Sequence, residues 1–114
     1  MFNDINEYIS AAEGLDRVRG NNNLYKKLLG MFLGGKEFEK FQAAVAAGDM
    51  DSATSEIHTL KGVAGNLALK KLFEESVVVL AELRSGVVNN ASISQIAVTY
   101  EKTCNAVKAY IEMP

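Results

Sequence analysis

The sequence predicts an all-α fold: an up-down antiparallel four-helix bundle with two additional N-terminal helices packed across it. The only proline is Pro114, the last residue, so nothing forbids long helices. Glycines at Gly14, Gly20, Gly34-Gly35, Gly48 and Gly86 cut the chain into helix-length pieces. Within those pieces apolar residues recur at helical spacing, and no strand-like alternation is sustained.

The first piece, about residues 3–13, places Ile5, Tyr8, Ile9 and Ala12 on one face. The second, about 22–33, has Leu24, Leu28, Met31 and Phe32 as its stripe and Asn21 as its N-cap. The third, about 36–47, turns Phe38, Phe41 and Val45 inward. Asp49 caps the fourth, in which Met50, Ala53, Ile57, Leu60, Ala64 and Leu67 follow with gaps of three and four. That narrow seam suits a helix bundle. The fifth, about 69–85, carries Leu72, Phe73, Ser76, Leu80 and Leu83 and ends at Gly86. After a loop over 87–91, Ser92 caps the last helix, with Ile93, Ile96, Tyr100, Cys104, Val107 and Ile111 inward. Short connections favour antiparallel neighbours, so the bundle spans about 36–112 and the N-terminal helices about 3–33 of a single domain, 1–114.

A net charge of -2 and the lack of any basic run argue against a nucleic-acid partner. The N-terminus lacks the layout of a signal peptide, and no apolar run approaches the ~20 residues that span a bilayer. A cytoplasmic monomer without direct membrane binding is expected. Cys104 is the only cysteine and falls on a core stripe, where a thiol is inert. Residues 30–37 have the two glycines and lysine of a Walker A loop. Glu37 replaces its final Ser/Thr and no strand precedes it, so a helix-to-helix turn is the better account. Asp49 and Asp51 fit capping and helix-dipole roles, and no metal site is expected.

His58, the one histidine, follows the seam residue Ile57 and therefore points roughly 130° from the seam's centre, toward solvent. A lone surface histidine means little. Its neighbours add more: Lys61 is three residues on, Gly62 four and Gly65 seven. A glycine inside a helix costs about 1 kcal/mol relative to alanine, and two ask for a reason. Bare backbone beside His58 would admit another molecule, and the angle away from the seam argues against a helix of the same chain using these glycines. A neutral imidazole is nucleophilic near neutral pH, and Lys61 can offset charge on phosphoryl oxygens. Thr54 and Ser55, one turn earlier, add small polar groups at the rim.

The run from His58 to Leu67, His-Thr-Leu-Lys-Gly-Val-Ala-Gly-Asn-Leu, resembles the phosphorylation-site motif of the histidine phosphotransfer (HPt) family of two-component phosphorelays. That pattern is His-x-x-Lys-Gly, then small residues, an aliphatic residue and often a glycine, where this chain has Ala68. Gly14-Leu15-Asp16, Gly20-Asn21 and the stretch from Leu24-Tyr25 to Phe32 also resemble the family's N-terminal portion. The resemblance implies a phosphoryl carrier without ATP-dependent kinase activity. His58, on an outward ring nitrogen expected to be Nε2, would take a phosphoryl group from the phosphoaspartate of a receiver domain. It would pass the group to another, on a response regulator or hybrid histidine kinase. No cofactor is expected on this chain, because the receiver brings Mg²⁺. Family members often carry a polar residue on the next helix; here the facing positions around Val77 to Ala81 are mostly apolar, with Arg84 further along as a rim charge. The alternatives are a histidine substrate domain of a chemotaxis-type kinase and a helical adaptor that has lost phosphotransfer.

Overall fold

A computed structural model describes residues 2–114, and the side chains of residues 5–114. It is helical throughout, with no strand among the described residues: α1 (Phe2–Tyr8), α2 (Ala11–Arg17), α3 (Asn22–Leu33), α4 (Glu37–Ala47), α5 (Met50–Asn66), α6 (Lys70–Arg84) and α7 (Asn90–Glu112). None of these helices is long and apolar enough to cross a membrane.

α4 and α6 flank α5, and α6 packs in turn on α7. Phe38 of α4 stacks on Tyr100 of α7, with ring centroids 4.3 Å apart. α1 and α3 lie on α7, α1 also meets α6, and α2 rests on α3.

Helix boundaries follow local chemistry. The Asn21 side chain accepts from the Leu24 N–H, and Asp49 accepts from the Ser52 N–H, so these two of the three expected N-caps form. α4 and α6 end in left-handed glycines, Gly48 at φ 73° and Gly86 at φ 79°. α5 ends in the same two-bond motif, Leu69 N–H to Ala64 C=O and Ala68 N–H to Gly65 C=O, but the left-handed residue is Ala68, at φ 58°. An alanine there is disfavoured by about 1 kcal/mol or more. It persists because Ala68 is buried and its carbonyl accepts from the Ser10 N–H.

Five expectations need correction. The single first helix is two, broken at Ile9–Ser10, and Ala12 is exposed. Gly14 is buried inside α2 and does not end a helix. The inward stripe of α3 is Tyr25, Leu29 and Phe32, while Leu24 and Met31 are exposed and Leu28 is half-buried. α7 starts earlier, with Asn89 as its N-cap in place of Ser92, since Asn89 accepts from the Ala91 and Ser92 N–H groups while its amide donates to Glu82. Its buried face is also rotated: Thr99, Thr103, Ala106 and Tyr110 join Ile96 and Val107, and Cys104 is only half-buried. The α5 seam is as the spacing predicts, with Ala53, Ile57, Leu60, Ala64 and Leu67 buried.

Candidate functional site

Burial of Ile57 and Leu60 against neighbouring helices turns His58 and Thr59 of α5 to solvent. α5 is held at its far end from two sides. The Tyr25 hydroxyl donates to the Leu67 carbonyl at 2.6 Å, and the Ser10 N–H to the Ala68 carbonyl at 2.9 Å. Tyr25 reaches that point because Gly14 has no side chain: a Cβ there would stand 2.3 Å from the ring. Burial, with Tyr110 beside it, pushes the Tyr25 phenol up to about 12.

Lys61 lies on the same side as His58, half-buried, three residues on. The two glycines separate. A Cβ at Gly62 would meet nothing within 4 Å, so the backbone there is open. A Cβ at Gly65 would stand 3.2 Å from Cδ1 and Cε1 of Phe73 on α6. Gly65 therefore lets a helix of the same chain pack closely, and it is not clear backbone in the way Gly62 is. The angle from the seam was a poor guide because Phe73 reaches around from the start of α6.

Ser55 is exposed. The Thr54 hydroxyl donates to the Met50 carbonyl at 2.7 Å, which spends its proton within the helix. Pairing Gly65 with Phe73 in antiparallel helices brings His58 about level with Leu80. The exposed α6 side chains nearest that level are Val77, Val78 and Ala81, all apolar; Arg84 is exposed a turn further on, about level with Thr54.

A groove of about 340 Å³ opens along α5 from Lys61 toward the helix's C-terminal end. It gathers Lys61, Gly62 and Gly65 with Arg17 of α2 and with Lys70 and Phe73 of α6. Arg17 and Lys70 escape a reading of α5 alone, because α2 extends past the expected helix end at Glu13 and brings Arg17 alongside. On the far side of α5, Val63 shares an apolar hollow with Leu28 and Met31 of α3. Cys104 lies away from this region, and burial raises its thiol above its ordinary value.

No protein-family model, curated protein or solved structure matches the chain.

Proposed function

We propose that the protein is a phosphoryl carrier of the HPt kind, with His58 as the phosphorylated residue. The observation that carries this is a solvent-facing imidazole on a buried-seam helix, followed one turn later by Lys61 and by backbone left open at Gly62. In the proposed reaction an unprotonated ring nitrogen of His58, expected to be Nε2, forms a P–N bond as the P–O bond of an aspartyl phosphate breaks. The donor is left with a free carboxylate, and transfer to a second aspartate reverses the exchange. Lys61 offsets charge on the phosphoryl oxygens. The Mg²⁺ and most catalytic groups belong to the receiver domain, so this chain acts as substrate and relay rather than as a kinase.

The consecutive packing of α4 to α7, with Phe38 stacked on Tyr100, supports reading those helices as an up-down four-helix bundle. α1 to α3 would pack across it. Such a scaffold holds His58 on a rigid rod, and positioning is most of what a phosphoryl relay needs.

The test is transfer of labelled phosphoryl from phosphorylated receiver domains to the chain. Label should appear on an acid-labile, base-stable phosphohistidine and be lost in His58→Gln. Retained transfer in that variant would overturn the assignment. Failure of every receiver of the source organism to label His58 would favour an adaptor role.

A further inference from the structure

The groove that begins at Lys61, one turn beyond His58, draws cations from three helices. Arg17 of α2, Lys61 of α5 and Lys70 of α6 line it, with Glu13 as its one carboxylate, so it stands at +2 in a chain of net charge -2. Among the described residues the ion pairs are Lys36–Glu39 and Lys71–Glu7, and neither involves these three cations. Lys71, next to Lys70, is turned away toward α1, 3.2 Å from Glu7 and over the Tyr8 ring. Lys70 is thereby left to the groove. Like charges brought together repel one another, and a docked anion relieves that repulsion. The groove has room for a short segment of chain, with Phe73 as a wall and open backbone at Gly62.

We propose, on the relay role given above, that this groove receives an acidic segment of the phosphoryl-donating partner protein. Arg17 and Lys70 select that partner by charge, while Lys61 serves the phosphoryl group. The groove begins one turn beyond His58 on the same helix, and its excess of positive charge matches an acidic segment in sign.

The experiment titrates the isotope-labelled full chain with a hexaglutamate peptide and follows backbone amide shifts. The expected result is perturbation centred on Arg17, Gly62, Gly65 and Lys70. It should weaken with added salt, and affinity should drop about tenfold or more in R17E/K70E. Circular dichroism checks that the variant is folded, and R17Q/K70Q serves if charge reversal unfolds it. Shifts centred elsewhere, no shift, or equal affinity in the variant would overturn the proposal. So would an identical pattern from inorganic phosphate at the same concentration, which would mark a small-anion site. Labelling His58 of the unaltered chain with phosphoramidate tests the relay role separately: its failure removes that role and leaves the peptide result to stand or fall alone.

Discussion

The Tyr25 hydroxyl donates a 2.6 Å hydrogen bond to the carbonyl of Leu67, the residue that follows the last turn of α5. A buried carbonyl left without its donor costs about 1–2 kcal/mol, so Tyr25→Phe should destabilise the fold by that amount, read as a lower urea midpoint.

The same phenol sets an alkaline limit. Its ordinary value is near 10 and burial raises it to about 12, so the folded state holds the proton more tightly than the unfolded state. Its contribution to stability is whole below pH 10 and is lost as pH rises toward about 12. Urea midpoints measured across that range should fall. The fall should be shallower in Tyr25→Phe without vanishing, because burial raises Tyr100 and Tyr110 as well.

Gly14→Ala should cost about 1–3 kcal/mol, since its Cβ would lie inside the space of the buried Tyr25 ring. Thermal melts would detect this as a drop of several degrees. An unchanged midpoint would mean that the α2–α3 packing is looser than described.

The two glycines of α5 should respond differently to alanine. Gly62→Ala gains helix propensity against empty space and should stabilise by about 0.5–1 kcal/mol. Gly65→Ala presses on Phe73 and should gain less or lose stability. If Gly62 clears the approach to His58, a bulky residue there should slow phosphotransfer while the protein stays folded. Paired melts and transfer rates test both statements.

His58→Gln should abolish phosphoryl acceptance with helix content unchanged. Lys61→Ala should slow it by up to about tenfold, the scale of one charge interaction still screened by solvent. A rate unchanged in Lys61→Ala would remove that residue from the chemistry.

Much of the fold was legible because local chemistry decides it. Asn21 and Asp49 cap where their side chains can reach an N–H three residues on, and Gly48 and Gly86 stop helices where φ turns positive. The α5 seam is unambiguous because it has only one apolar stripe. α3 has two, Leu24–Leu28–Met31 and Tyr25–Leu29–Phe32, and hydrophobicity cannot choose between them. The choice is made by Gly14 and the Leu67 carbonyl, both distant in sequence. In α7 the Thr103 hydroxyl satisfies itself on the Thr99 carbonyl, so two residues that look polar are buried. Asn89 and Ser92 offer similar caps three residues apart, and the bond to Glu82 favours Asn89. At the candidate site, His58, Lys61 and Gly62 were legible as a run along one helix, whereas Arg17, Lys70 and Phe73 join only through tertiary packing.

The packing of aromatic rings between α3 and α7 also makes the molecule optically self-reporting. The chain has no tryptophan and four tyrosines. Tyr8, Tyr25 and Tyr110 are buried where the N-terminal helices meet the rest, and the rings of Tyr25 and Tyr110 meet edge to face at 5.5 Å. Near-ultraviolet circular dichroism therefore reports chiefly on how firmly α1 to α3 are seated, while the far-ultraviolet signal is dominated by α5 to α7. A state in which the short helices lift away and the long ones persist would lose the first signal and keep most of the second.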